Sequence, residues 1–437
     1  MSRKSFPLVN VTLNRIVGGG QTIATMDDGR KLFVWGGLPG EQVRVQITKK
    51  RSQLAQGVVV EVVTPSSERI KPRDPDSYLS TSPWQIVDFA TESHYKAALI
   101  EEAFELHDIV LPDPISVWSD GVEYGYRNKI EFSFWYDIET EQIDLAFFRR
   151  GTHGKITVDH TSLASSAITT LSHQIRDVLN KLSIEGRALK TLLIRSNRTG
   201  DTAWQLYIKD ETIDVEQIVN TLGELARTGE IIYSNPKSPA SVITKRLYQG
   251  NDIVLEDTIL GVPFRYATEG FFQINLPVYE QALRDMQEWV TAGKPVVDMY
   301  SGVGTIGLTI GGDDVTLVEL NEHAVREMER NIAELGREGS ATPVLAASER
   351  ALEYITPNAT IIVDPPRAGL HEDVVRKLLE VAPERIIYLS CNPVTQARDV
   401  ARLAEAYGIR HHQGYNFFPR TPHIEHLVIL DKKHKQE

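Results

Sequence analysis

Cys391 is the only cysteine in a chain of 437 residues. It lies in LSCNPVTQARDV (389–400), where the apolar run IIYLS stops and a proline opens a helical pattern. A thiol at a strand tip beside a helix N-terminus is expected to have a lowered pKa and to face a ligand crevice. A buried structural sulfur is the plainer alternative. Asn392 would either orient a base carbonyl or cap the helix. Further on, PRTPHIEHLVIL (419–430) supplies Glu425, with His423 two residues earlier on the same face of an apolar strand. A nucleophilic sulfur and a partly desolvated carboxylate are the parts of covalent catalysis followed by proton removal. Glu425 is the first candidate for the base and His423 the second.

A second constellation sits upstream. VVDMYSGVGTIGL (296–308) sets Gly302, Gly304 and Gly307 between an apolar strand and a helix. Glycines let the backbone approach a ligand, and a helix N-terminus favours negative charge there. The first association of GxGxxG is a nicotinamide dinucleotide. Two acids shift the reading. Asp298 stands at the strand tip, where a carboxylate meets a cationic group, and Glu319 ends DVTLVEL, where it suits a ribose diol. That set fits S-adenosylmethionine, whose sulfonium and amino group are cationic. In IIVDPPRAGL (361–370) the prolines end a buried strand and leave Asp364 at its carboxyl edge. A thiolate beside a methyl donor suits C5 methylation of a pyrimidine: sulfur adding at C6 makes C5 nucleophilic, and a base then removes the C5 proton. A nicotinamide oxidoreductase gives no reason for Asp298, DPPR and CNP to occur together.

The elements that must hold these residues fall into three expected regions. Residues 1–65 read as short strands (VTLNRIV, QTIATM, KLFVWG, EQVRVQITK, QGVVVEVV) broken by GGG, DDG and GGLPG, the pattern of a small OB-like β-barrel. Residues 66–270 read as an α+β domain, opening with a Pro/Ser/Asp-rich linker over about 65–92. Residues 271–437 alternate apolar strands with helices, which means a doubly wound parallel α/β sheet of Rossmann-like type. The net charge is −12, yet residues 1–73 carry 12 Lys/Arg against 5 Asp/Glu. A basic module on an acidic body points to a nucleic-acid partner despite the overall sign. Lys49, Lys50 and Arg51 would meet phosphate at a strand end. One cysteine excludes a disulfide framework and any all-cysteine metal or iron–sulfur site. With no membrane-length apolar run and no leader core in MSRKSFPLVN, a cytoplasmic monomer is expected, with no membrane partner and no bound metal.

Together, DMYSGVGTIGL, VELNEHAVREMERN, IIVDPPRAGL, YLSCNPVTQARD and FPRTPHIEHLVIL resemble the RNA 5-methyluridine (uracil-C5) methyltransferases that use S-adenosyl-L-methionine. YRNKIEFSF (126–134) and EGFFQIN (269–275) match as well. The stretch from VTLNRIVGGGQ through PGEQVRVQI resembles a TRAM domain. The resemblance implies a class I methyltransferase domain at the C-terminus, with Cys391 as nucleophile and Glu425 as base. It implies cofactor contacts from Gln273, Tyr300, Thr305, Glu319 and Asp364, with Asp298, Gly302 and Gly304 around them. It implies that Arg127 and Lys129 meet RNA, ribosomal RNA before transfer RNA. The chain departs from that pattern twice. RIKPRDPDSYLSTSPWQ holds none of the four cysteines that many relatives use for an iron–sulfur cluster, so no cluster is expected. The acid expected near the adenine is replaced by Ala346 and Ala347, with Glu349 further along.

Overall fold

The computed structural model describes Phe6 and residues 8–434; the opening MSRKS lies outside them. The chain forms two compact units that do not follow chain order. One gathers residues 1–92, 122–255 and 419–422, the other 93–121, 256–418 and 423–437.

In the first unit, six strands form the N-terminal sheet: β1 (Leu8–Thr12), β2 (Arg15–Val17), β3 (Gln21–Thr25), β4 (Lys31–Trp35), β5 (Gln42–Lys50) and β6 (Leu54–Thr64). Their order is β1-β5-β6-β4-β3-β2. Alternation does the work: Val43, Val45 and Ile47 of β5 point into the core with Ala24, Leu32 and Val34, while their neighbours face outward. VTLNRIV is not one strand. Leu13, 1 % exposed, turns into the core, and its backbone bonds Glu41 and Gly40 instead of a strand.

The expected linker is an ordered, packed segment. It carries a one-turn helix α1 (Tyr78–Thr81), and Trp84, Gln85, Ile86 and Val87 within it are buried. Gln85 Nε2 donates to Asp74 Oδ2 at 3.0 Å and to Ser82 Oγ at 2.7 Å, and the Asp74 amide donates back to Gln85 Oε1 at 2.8 Å. Ser162 closes on Asp74 Oδ2 at 2.7 Å, and Trp84 Nε1 reaches the Gly20 carbonyl at 3.2 Å. Side-chain hydrogen bonds therefore order the stretch that has no cysteines, and composition alone concealed this because each partner looks like a loop residue.

Helix α2 (Phe89–Glu105) and strand β7 (Val117–Trp118) follow. A seven-stranded sheet then uses β8 (Lys129–Asp137), β9 (Gln142–Phe148), β10 (Lys155–Thr157), β11 (Leu189–Ser196), β12 (Thr202–Ile208), β13 (Gly229–Tyr233) and β14 (Lys245–Gln249), in the order β10-β9-β8-β11-β12-β13-β14. Helices α3 (Ser166–Lys181) and α4 (Val215–Leu222) bury Ile168, Leu171, Ile175, Ile218 and Leu222 against it.

The second unit is built on an eight-stranded sheet. After β15 (Val254–Ile259), β16 (Val262–Ala267) and α5 (Leu276–Gln287), the chain lays down β17 (Val296–Asp298), α6 (Thr305–Ile310), β18 (Val315–Glu319), α7 (Glu322–Glu334), β19 (Ala341–Leu345), β20 (Thr360–Val363), α8 (Glu372–Val381), β21 (Arg385–Ser390), α9 (Pro393–Leu403), β22 (Tyr407–Tyr415) and β23 (Glu425–Lys432). The order is β19-β18-β17-β20-β21-β23-β22-β7. The run from β19 to β21 is parallel, and β23 is antiparallel to both neighbours. TIGLTI forms the helix α6, because Gly304 at φ 90° turns the chain out of β17 and starts a helix that buries Ile306, Leu308 and Ile310. Residues 93–121 pack here because Ile100, Ala103 and Phe104 of α2 enter this core, and β7 pairs with β22.

Candidate active site

A parallel sheet brings the carboxyl ends of its strands to one edge. At that edge lie Asp298 closing β17, Glu319 closing β18, Asp364 just past β20 and Cys391 just past β21. Because β23 runs the other way, its first residue, Glu425, joins the same edge. The ladder between β21 and β23 ends with Ser390 opposite His426, so Cys391 and Glu425 stand at the next step and share a face of the sheet.

Local sequence explains each placement. Pro393 is the first residue of α9, where its missing N–H costs nothing, and Asn392 caps the helix, its oxygen accepting from the Val394 amide at 3.3 Å. The Asn392 Nδ2 donates to the Arg367 carbonyl at 2.9 Å. Of the two roles open to Asn392 from sequence, the cap is the one observed, and both ends of its amide are engaged.

The thiol does not behave as the helix-terminus argument expects. Burial pushes the half-buried Cys391 thiol up to about 12, and the carboxyls of Glu425 and Asp364 push the same way. The Arg367 guanidinium acts in the opposite direction, by its charge and by a hydrogen bond. A weak fractional charge at a helix end is overcome by desolvation and two acids. Arg367 is the residue that motif reading passed over. Thr395 Oγ1 also donates to its carbonyl, at 3.2 Å, and its side chain donates to His423 Nδ1 at 3.2 Å. The signal was present in DPPRAG, as a cation immediately after the strand-ending prolines.

The carboxylates form a crowded set. Asp298 is fully buried; one oxygen accepts from the Gly307 amide at 3.1 Å, and the other has no hydrogen-bond partner. Burial raises it to about 7 despite that amide. Burial and then the charge of Asp298 raise Asp364, and burial and then Asp364 hold Glu425 well above the usual carboxylate range. Acids this close favour protonated forms unless a cation joins them. The orphaned Asp298 oxygen and its acidic neighbours thus suit a sulfonium or ammonium group.

The glycine turn fits the same ligand. Gly302 (φ 57°) and Gly304 (φ 90°) adopt left-handed conformations, and the Gly302 amide donates to Glu319 Oε2 at 3.0 Å. A Cβ on Gly307 would lie 2.3 Å from Leu317 and 3.0 Å from Val315, so this glycine is required for close packing of α6 on β18. Glu319 also accepts from the Asn321 amide at 2.7 Å. Thr305, first in α6, hydrogen-bonds the Tyr279 hydroxyl at 2.8 Å; Tyr279 is buried on α5 within the field of Asp364, Asp298 and Glu425, and sequence reading missed it as one more apolar-face aromatic. Gln273 is buried one residue past Phe272, whose ring stacks on Tyr266 at 3.8 Å. The Tyr300 hydroxyl accepts from Ser348 Oγ at 2.9 Å, and the same Ser348 oxygen lies 3.4 Å from Glu349. Glu349 is therefore carried beside Tyr300 by the turn after Ala347. Arg127 and Lys129 belong to the other unit, Arg127 bridging to Ala164 and Lys129 opening β8 opposite Arg195. Among the described residues no group of three or more His, Cys, Asp or Glu is placed to hold a metal ion, and no helix is long and apolar enough to cross a membrane.

A Rossmann-like sheet with a glycine turn and acids at successive strand ends is the fold of a methyltransferase, and a TRAM domain precedes it. Residues 352–433 match the tRNA (Uracil-5-)-methyltransferase family and residues 8–60 the TRAM domain. An RNA methyltransferase of Enterococcus faecalis is 28 % identical over 98 % of both chains, and one of Nitratidesulfovibrio vulgaris 25 % identical over 97 % of this chain and 96 % of its own. In fold, the chain is similar to the Pyrococcus abyssi tRNA (uracil-54, C5)-methyltransferase solved with S-adenosyl-L-homocysteine, with a TM-score of 0.76 at 23 % identity, covering 96 % of this chain and 99 % of that one. The chain is thus similar to the uracil-5 methyltransferase family over its C-terminal residues 352–433, and to relatives named RNA methyltransferases over nearly its whole length.

Proposed function

We propose that the protein methylates C5 of a uridine in structured RNA, through a covalent bond between Cys391 and C6 of the base. The observation that carries this reading is the meeting of Cys391 and Glu425 at facing strand ends, beside the acidic edge formed by Asp298 and Asp364. S-adenosyl-L-methionine supplies an electrophilic methyl group. Asp298, Asp364 and Glu319 receive its cationic and diol groups, Gly302 and Gly304 give backbone access, and Gln273, Tyr300 and Thr305 complete the pocket.

The chain's own groups then work in sequence. The Cys391 thiol gives up its proton to solvent before Sγ bonds to C6, and the Arg367 charge favours the sulfur anion. The C5=C6 electron pair moves toward C5, which would take the methyl group as the donor's sulfur leaves with the C–S pair as a neutral thioether. Glu425, as carboxylate, removes the C5 proton; the C6–Sγ bond breaks and the sulfur leaves with its electron pair. The base must leave its stack to reach the thiol, and Arg127 and Lys129 are the proposed contacts to the RNA or the extruded base. The TRAM domain and the exposed Lys49, Lys50 and Arg51 at the end of β5 support an RNA partner; ribosomal RNA is the proposed substrate, transfer RNA the alternative. The experiment is incubation with methyl-labelled S-adenosyl-L-methionine and RNA lacking 5-methyluridine, ribosomal and transfer fractions separately. Label recovered as 5-methyluridine from the ribosomal fraction supports the reading; RNA retained on a filter without label contradicts it.

A further inference from the structure

Directly behind the facing pair lies a polar chain in the core. His426 follows Glu425 on β23 and therefore points to the opposite side of the sheet. Its Nδ1 lies 2.7 Å from Gln396 Oε1 on α9, and its Nε2 lies 3.3 Å from His412 Nδ1. His412 Nε2 in turn lies 2.9 Å from the Asp113 carbonyl. Gln396 Nε2 donates to two backbone carbonyls, Tyr388 on β21 at 3.0 Å and His426 on β23 at 2.8 Å. Gln396 and His426 are fully buried and His412 is 4 % exposed.

Counting protons fixes the arrangement. Two carbonyls face Gln396 Nε2, so the amide cannot be flipped without setting oxygen against oxygen. Its Oε1 can only accept, so His426 carries its proton on Nδ1. The Asp113 carbonyl can only accept, so His412 carries its proton on Nε2. In an uncharged pair, His412 Nδ1 and His426 Nε2 then meet as two lone pairs. The distances agree: the outer contacts are short and the middle one is 3.3 Å. Burial lowers both histidines, with His412 and His411 adding to it for His426, and for His412 the Asp113 carbonyl and the Asp113 charge acting against burial. The Phe104 edge, 5.3 Å from His426, adds no charge.

We propose that Gln396 is a positioning residue for methyl transfer. Its amide clamps the first turns of α9 to β21 and β23, and the His426–His412 pair locks the amide's orientation, so the elements bearing Cys391 and Glu425 keep one mutual position. The proposal rests on the reading of Cys391 and Glu425 above, but its first test does not.

Long-range ¹H–¹⁵N histidine spectra of the wild-type full chain at neutral pH read the tautomers directly. The expected result is Nδ1–H for His426 and Nε2–H for His412; Nε2–H on His426 overturns the proposal. The second test is Gln396→Leu in the full chain. Its kcat for RNA methylation should fall by roughly 10- to 100-fold, on the scale of a misplaced reacting group, while Kd for S-adenosyl-L-methionine stays within about twofold. A variant that binds S-adenosyl-L-methionine with kcat unchanged overturns the proposal. Should Gln396→Leu not fold, the wild-type tautomers still decide. Should wild-type protein methylate no RNA, iodoacetamide labelling of Cys391, the only thiol, replaces kcat: an altered labelling rate in Gln396→Leu supports the clamp, and an identical rate removes it.

Discussion

Cys391 and Glu425 occupy facing ends of neighbouring antiparallel strands, one step beyond the Ser390–His426 pair that closes their ladder. They lie 34 positions apart in sequence, yet the ladder that ends at Ser390 and His426 brings them to neighbouring strand ends. A nucleophile and a base held this way can act on C6 and C5 of one ring, which are bonded neighbours. Replacing Cys391 with Ala is expected to abolish methyl transfer while leaving S-adenosyl-L-methionine affinity nearly intact, because the sulfur supplies no cofactor contact. Isothermal titration and labelled-methyl assays on the same preparation check this.

Glu425→Gln retains size and buried shape but cannot take the C5 proton. The adduct should form and fail to resolve, so protein covalently joined to RNA should accumulate on denaturing gels. If Glu425→Gln turns over like wild type, the base is His423 instead, the second candidate proton acceptor.

Arg367 is a positive charge acting on a thiol that burial and two acids push up. Arg367→Gln should slow adduct formation by about 100-fold, the order seen when one preorganised stabiliser of developing charge is lost. The alkylation profile of Cys391 should also shift to higher pH. A rate and profile equal to wild type would remove Arg367 from the chemistry.

The carboxyls predict a pH dependence with a definite sign. Asp298 is raised to about 7 and Asp364 is raised with it. A cationic ligand needs them ionised, so S-adenosyl-L-methionine should bind more tightly as pH rises from 6 to 8 and release fewer protons at the upper end. The free protein shows the opposite trend from these groups. Because their folded pKa exceeds the unfolded value, their stabilising contribution is complete below about pH 4 and is lost as pH rises through about 7. The ligand-induced rise in Tm should therefore be larger at pH 8 than at pH 6. Equal rises at both would contradict the acidic-cradle argument.

Gly307→Ala places a methyl group against Leu317 and Val315. Overpacking between α6 and β18 should cost about 1–3 kcal/mol and weaken cofactor binding with it; a melting curve and a binding titration read both.

Much of the site was legible because its chemistry is punctuated. Glycines, prolines and acids end apolar strands at 298, 302, 319 and 364, and one cysteine sits at such an end. The α/β sheet followed from continuous apolar strands alternating with helices. What stayed hidden depends on pairing across distance. Nothing local shows that β23 runs antiparallel beside β21, the fact that brings Glu425 to Cys391. Nor does sequence show that the thiol lies among acids, which reverses the direction of its pKa. Tyr279 and Arg367 were missed because an aromatic on an amphipathic helix and an arginine after two prolines have ordinary structural uses. The stretch 65–92 looked like a linker because its ordering comes from Asp74, Gln85 and Ser162, which meet only in the folded chain.

The central claim is a bond between one sulfur and one ring carbon. RNA carrying 5-fluorouridine in place of uridine, incubated with the protein and S-adenosyl-L-methionine, has no C5 proton for Glu425 to remove once the methyl group is in place. The account predicts a stable protein–RNA complex whose only modified peptide contains Cys391, absent in Cys391→Ala. Methylated RNA from ordinary uridine together with no covalent complex from the fluorinated substrate would contradict it.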